Sequence, residues 1–343
     1  MDYVHIEGIS IPVSRVVFGT DWLTTRRYFS VAGRQRPLPF VNRKRQQDAF
    51  DLLDGVVQAG CTAFDTARTY RDSEETIGAW MRARAMRERV VLITKGAHPG
   101  PRWTSRLTAT GISRDLERSL NALQTDYIDL YLLHYDDGTT EVGPLVEALN
   151  RHLNAGRIRA IGLSNWSTER IALALAYAAA RQLKPPVVSS VQFSLASWRY
   201  PPWKNALTLS GEESEADRQW YKASDIPVLA YSSLAMGFFS PSRPYAGGEM
   251  VSPGPPQRFG DDMFLDENNL ARLRRARELA NRRGVSPGQI ALAWVLGFDR
   301  RVLAVVGARN TASYVDAAVA CDVTLSESER AWLSHGQIAR PVS

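Results

Sequence analysis

Eight short apolar runs, rich in β-branched residues, recur along the chain. They are VVFGT (16–20), CTAFDTA (61–67), VVLITKG (90–96), IDLYLLHY (128–135), RAIGLSN (159–165), VVSSVQFS (187–194), PVLAYSS (227–233) and VLAVVGA (302–308). Their hydrophobicity is continuous rather than alternating. A strand with one wet face alternates, whereas a strand covered on both faces does not, and parallel sheets are built from the second kind. Helical patterns lie between most of the runs, at 46–60, 112–123, 142–156 and 167–183. Ser113 and Ser167 stand where N-caps belong, and Gly60 and Gly156 where helices stop. Eight βα units in about 300 residues is the arithmetic of a (β/α)8 TIM barrel. A doubly wound sheet also alternates, but its G-x-G-x-x-G fingerprint follows none of these runs. With no linker, repeat or low-complexity segment, residues 1–343 read as a single α/β domain.

Three stretches interrupt the alternation: 21–45, rich in Arg; 197–216, rich in Trp, Tyr and Pro; and 236–263, rich in Gly and Pro. Each follows a strand, so in a barrel all three belong to the C-terminal rim. Loops of such length are usually functional or disordered, and the aromatics of the second argue against disorder. The net charge of +6 comes without a long Lys/Arg stripe interleaved with aromatics, so nucleic acid is not the expected partner. No apolar run reaches the roughly 18 residues of a membrane helix. The N-terminus MDYVHIEGIS lacks the layout of a signal peptide. Two cysteines, Cys61 and Cys321, both in apolar company, suit a reducing compartment, and a cytoplasmic protein is expected. The C-terminal tail after Leu333 is short and is expected to add little. Nothing here fixes an oligomeric state.

Barrel chemistry gathers where the C-terminal strand ends converge. The second run ends in Asp65, with Tyr70 just beyond it; the third ends in Lys95; the fourth in His134. Consecutive strands can bring these four into one small volume. An ammonium beside a phenol favours the phenolate and is expected to lower its pKa, while the carboxylate balances the buried lysine. The histidine can orient a carbonyl oxygen near the phenol. Tyr70 then reads as a general acid aimed at a carbonyl. The chain has no HExxH, CxxC, GxSxG or P-loop motif. Four such residues supply a proton but no hydride, so a hydride cofactor is implied.

FDTARTY, ITKG, LLHY, IGLSN, AYSSLAMG and VVGARN, in this order, resemble the segments of the aldo-keto reductase superfamily, over nearly the whole chain. The resemblance implies a barrel reductase using NADPH, or less often NADH, on a small-molecule carbonyl substrate. It makes Asp65, Tyr70, Lys95 and His134 the catalytic set, with Tyr70 the proton donor. It places Gly19, Thr20 and Asp21 along the cofactor, and Ser164 and Asn165 on the nicotinamide amide. Tyr231 would stack on the nicotinamide ring, with Ser232, Leu234 and Met236 beneath the diphosphate. Gly307 and Arg309 would face the adenosine 2′-phosphate, and Ser313 and Asp316 take the adenine positions. The family's strand-six glutamine falls on Ser190, with Gln192 two residues on as the alternative. Its glycine after the tyrosine is Arg71 here.

The resulting expectation is NADP(H)-dependent reduction of an aldehyde, ketone or keto-sugar. Two alternatives remain at this stage: a regulatory subunit that binds NADP(H) with negligible turnover, and the same chemistry run as sugar or polyol oxidation. Trp22, Trp198 and Trp203 offer aromatic walls to a substrate, and Arg26, Arg27 and Arg71 positive charge. A sugar or an acidic carbonyl compound would suit them.

Overall fold

The computed structural model describes residues 1–31, 34–100, 103–203, 205–240 and 262–336. Among them, eight parallel strands close into a barrel. In chain order they are β1 (Val16–Gly19), β2 (Ala63–Asp65), β3 (Val91–Gly96), β4 (Ile128–Leu133), β5 (Ile158–Ser164), β6 (Val188–Gln192), β7 (Val228–Tyr231) and β8 (Val302–Val306). Each pairs with its neighbours in sequence, and β8 returns to β1. All eight apolar runs are barrel strands, and the (β/α)8 expectation holds.

Alternation along each strand sorts its residues into two apolar layers. Val17, Ala63, Val91, Ile93, Leu130, Leu132, Ala160, Val188, Leu229 and Leu303 fill the barrel. Phe18, Phe64, Leu92, Tyr131, Leu133 and Ile161 point the other way and meet the helices. A two-stranded N-terminal hairpin, Tyr3–Val4 with Val13–Ser14, lends Ile6, Ile9 and Val13 to the interior cluster and closes the barrel's base.

The helices α1 (Arg43–Gln58), α2 (Ser73–Arg84), α3 (Ala109–Leu123), α4 (Val142–Asn154) and α5 (Thr168–Ala180) follow the first five strands. Ser167 caps α5 as expected, its side chain accepting from Arg170 N at 3.3 Å. Ser113 does not cap α3; that helix begins one turn earlier, at Thr108, whose hydroxyl accepts from Gly111 N at 3.0 Å. Threonine is a competent cap, and the apolar periodicity that marked 112–123 starts only after the first turn. Helix α6 (Glu215–Ala223) precedes β7; α7 (Glu267–Arg283) and α8 (Pro287–Leu296) fill the β7–β8 connection; α9 (Thr311–Ala318) and α10 (Glu327–His335) end the chain. The Arg-rich 21–45 stretch is not a plain loop. It contains an antiparallel hairpin, Arg26–Val31 with Arg34–Val41, on the rim. Most of the 236–263 stretch, residues 241–261, and the tail from 337 lie outside the described residues.

Close approach of α2 to α3 depends on Gly78. A Cβ there would stand 2.6 Å from both Ala122 O and Leu123 C, which are backbone and cannot swing away. Gly78→Ala is expected to force the helices apart at a cost of about 1–3 kcal/mol, the usual penalty of overpacking. Thermal melts should show a lower Tm with the barrel's circular-dichroism spectrum retained.

Candidate active site

Strand alternation also aims the chemistry. Two residues beyond inward-facing Ala63, Ile93, Leu132, Val188 and Leu229 stand Asp65, Lys95, His134, Ser190 and Tyr231. All therefore point up the barrel axis at its C-terminal end. Lys95 and Asp65 are both 3% exposed. The Lys95 ammonium donates to both Asp65 oxygens at 2.7 Å and to Thr66 O at 3.1 Å, and reaches the Tyr70 hydroxyl at 3.4 Å. Tyr70 and His134 meet edge to face, ring centroids 6.0 Å apart. The four residues singled out at the strand ends are thus one cluster.

Burial pushes the Asp65 carboxyl upward, and the ammonium against both its oxygens pulls it back. The phenol departs from expectation. Burial first, then the charges of Asp65 and Asp21, hold Tyr70 well above the usual phenol range, not below it. The ammonium does not offset this, since it already donates to both Asp65 oxygens at 2.7 Å and lies farther from the phenol, at 3.4 Å. Tyr70 accordingly keeps its proton. Burial, then Lys95 and His98, drive His134 far below the ordinary imidazole value, so its ring is neutral. Its Nδ1 is buried with no hydrogen-bond partner among the described residues.

Around this cluster opens a cavity of about 880 Å³. Gly19, Thr20, Asp21 and Trp22 line it from the β1 side, Ser164 and Asn165 from β5, Tyr231, Ser232, Leu234 and Met236 from β7, and Gly307 and Arg309 from β8. Trp198 and Trp203, each half-buried and 6.2 Å apart between ring centroids, form a wall of the same cavity. Asn165 adopts a left-handed backbone, φ 56°, which asparagine tolerates better than most residues. Its amide ties three strands together: Nδ2 donates to His134 O at 3.1 Å and Ser164 Oγ at 3.1 Å, and Oδ1 accepts from the Tyr231 hydroxyl at 2.7 Å.

Several of the singled-out residues do not line the cavity. Ser190 lies deeper, its hydroxyl buried and without a partner among the described residues. Its alternative, Gln192, turns its amide to the 194–210 segment, donating to Ser194 Oγ at 2.8 Å and accepting from Ser210 Oγ at 3.1 Å and from Thr208. Ser313 is exposed on α9, and Asp316 accepts from Gln289 Nε2 at 2.9 Å, on the side of α9 that faces α8. The arginines suggested for substrate charge stand apart from the cavity. Arg26 pairs with Glu75 at 3.2 Å, Arg71 packs over the Tyr28 ring at 5.4 Å, and neither these nor Arg27 lines the cavity.

The cavity also holds residues that sequence reasoning passed over. Tyr135 stacks on His134 at 5.0 Å and meets Trp203 at 5.8 Å, and His98 meets both His134 and Tyr135 edge-on. Tyr135 directly follows His134, and a tyrosine beside a strand-end histidine was the available signal. His98, in the loop past Gly96, had none. Among the described residues no group of three or more His, Cys, Asp or Glu could hold a metal ion, and no helix is long and apolar enough to cross a membrane.

Comparison with known proteins agrees on one relationship. The model of the aldo/keto reductase family matches residues 27–334. An uncharacterized oxidoreductase of Bacillus subtilis, YrpG, is 27% identical over 340 residues, covering 95% of this chain and 93% of that one. An aryl-alcohol dehydrogenase of Pestalotiopsis microspora is 30% identical over 277 residues, covering 76% of this chain and 65% of the relative. The crystal structure of an aldo/keto reductase from Klebsiella pneumoniae in complex with NADP and acetate superposes with a TM-score of 0.66 at 26% identity, covering 96% and 93% of the two chains.

Proposed function

Because this chain belongs to the aldo/keto reductase family, we propose that its rim cavity reduces an aldehyde, ketone or keto-sugar to the alcohol, with Tyr70 delivering the proton. The chain is an NAD(P)H-dependent oxidoreductase, and NADPH is its cofactor. The residues present fit that cofactor. At Gly19 a Cβ would stand 2.9 Å from Val305 Cγ1, and at Gly307 one would stand 3.3 Å from Trp22 Nε1, so larger residues at either position would crowd this wall of the cavity. His134 Nδ1, on the cavity lining, is a buried polar atom without a partner among the described residues. Gly19, Thr20, Asp21, Ser164, Asn165, Tyr231, Ser232, Leu234, Met236, Gly307 and Arg309 would hold the cofactor. When bound, NADPH supplies the hydride that a carbonyl carbon accepts.

The observation that carries the reading is the buried Lys95–Asp65 pair with its ammonium 3.4 Å from a protonated Tyr70. In the resting site the ammonium and carboxylate balance. As the phenol gives up its proton to the carbonyl oxygen, negative charge develops beside the ammonium and is stabilised there. That contact strengthens toward the transition state, and only such contacts accelerate the chemical step. Neutral His134 can hydrogen-bond the same oxygen without competing to protonate it. Trp198, Trp203 and Tyr135 suit a substrate with a flat apolar face, whether an aryl ring or the face of a sugar, and the similar aryl-alcohol dehydrogenase agrees with the former.

The test is a panel of aryl aldehydes, aliphatic ketones and keto-sugars, followed by NADPH absorbance. Turnover of at least one class is expected. Tight NADPH binding with no turnover across the panel would overturn the reading. Arg309 stands just before Asn310, the N-cap of α9, with its guanidinium 5.7 Å over Trp22. A guanidinium beside a helix N-terminus suits a phosphate. Arg309→Ala is expected to weaken NADPH binding by about 10- to 100-fold, the worth of a charge-assisted contact, while NADH binding changes little. Equilibrium titration with both cofactors checks this.

A further inference from the structure

We propose that Asp72 is a positioning residue that locks the Tyr70 turn to the 20–28 segment, so that the proton donor and the cavity wall are held as one unit. The proposal rests on the reading of Tyr70 as proton donor.

Asp72 stands at the N-cap of α2, where an aspartate ordinarily accepts from its own helix's first amides. It makes no such bond. Its side chain turns away from the helix, and among the described residues its two oxygens accept from five donors on one segment. Oδ1 accepts from Thr24 Oγ1 and, at 3.0 Å, from the Tyr28 hydroxyl. Oδ2 accepts from Thr25 N at 2.9 Å, Thr25 Oγ1 at 3.0 Å and Arg26 N at 3.0 Å. The carboxylate is 2% exposed, and although burial alone would raise its pKa, these donors bring it below the usual carboxylate range.

What it holds is close to the chemistry at both ends. On one side, Tyr70 is two residues away in a turn with little slack: Tyr70 N donates to Ala67 O, Ser73 N donates to Tyr70 O, and Arg71 between them is left-handed at φ 47°. On the other, the segment begins with Thr20, Asp21 and Trp22, which line the cavity. Arg71 adds a second tie, its guanidinium 5.4 Å over the Tyr28 ring. The inner side of the turn is pinned separately by Ser73, whose hydroxyl donates to Thr20 Oγ1 at 2.8 Å, which in turn donates to Asp65 O at 2.8 Å. Without Asp72 the turn keeps its inner anchor and loses its outer one. A non-glycine residue in the left-handed region is then free to relax, taking the adjacent Tyr70 with it.

The experiment is a kinetic comparison of Asp72→Ala, Asp72→Asn and Tyr28→Phe, alone and with Tyr70→Phe. Asp72→Ala is expected to lower kcat on the order of 10²-fold, the effect of misplacing a reacting group by about 1 Å. Asp72→Asn, which keeps an acceptor for the Thr25 and Arg26 amides, should recover part of that loss. Tyr28→Phe, which removes one bond and keeps the carboxylate, should show a smaller loss of the same kind and serves if Asp72→Ala does not fold. In each single variant the alkaline limb of the kcat profile should move, because the displaced phenol leaves its surroundings. In the Tyr70→Phe background the Asp72 substitutions should cost nothing further. A folded Asp72→Ala with unchanged kcat, or one that loses the same factor with and without the Tyr70 hydroxyl, overturns the proposal. Full turnover in Tyr70→Phe alone would instead strike the function on which it rests.

Discussion

Asp65→Asn is expected to destabilise the protein by about 3–5 kcal/mol, the cost of leaving one member of a buried ion pair alone. The Lys95 ammonium would keep Thr66 O at 3.1 Å and an amide oxygen, but would lose the carboxylate it donates to. The Tyr70 oxygen, at 3.4 Å, would then lie beside a less balanced cation. The phenol pKa should therefore fall, since a raising charge has gone and an unbalanced cation remains. The sign for activity follows. Proton donation is present below the phenol pKa and lost as pH rises through it, so the alkaline limb of kcat/KM should move to lower pH in the variant. Denaturant unfolding gives the stability change, and a pH–rate profile gives the limb. Asp65→Asn combined with Lys95→Met removes both charges and should recover most of the stability but none of the rate. Recovery of both would mean the pair is structural alone.

Tyr70→Phe should have the opposite signature. The hydroxyl's one contact among the described residues is the ammonium at 3.4 Å, so the melting temperature should scarcely change. The proposed proton donor, however, is gone. Loss of a positioned general acid costs typically about 10²- to 10⁴-fold, and kcat should fall within that range. NADPH binding, read from quenching of cavity tryptophans such as Trp22, should persist. A variant that binds NADPH and retains wild-type turnover would remove Tyr70 from the mechanism.

The barrel and its four strand-end residues were legible because both follow from one periodicity. Continuous apolar runs announced strands covered on both faces, and an ionisable residue closing such a run is out of place unless it works. Asp65, Lys95 and His134 each broke the apolar pattern where alternation still held them inward. The direction of the Tyr70 shift was not legible. It depends first on how deeply the phenol is buried and then on Asp65 and Asp21 facing the same space, and none of these follows from spacing. The rim hairpin at 26–41 escaped notice because Pro37, Pro39 and four arginines obscure its alternation. The role of Asp72 was not legible either; only the folded chain reveals that its acceptors serve another segment. The turn of Gln192 away from the cavity was likewise beyond reach, since it depends on the path of the 194–210 segment.

The closure of the barrel's base by Ile6, Ile9 and Val13 has a consequence for traffic. With the interior beneath Lys95 filled by these side chains, the described residues open toward it at the C-terminal rim. Passage to Lys95 then runs over that rim, and whatever narrows the opening slows it.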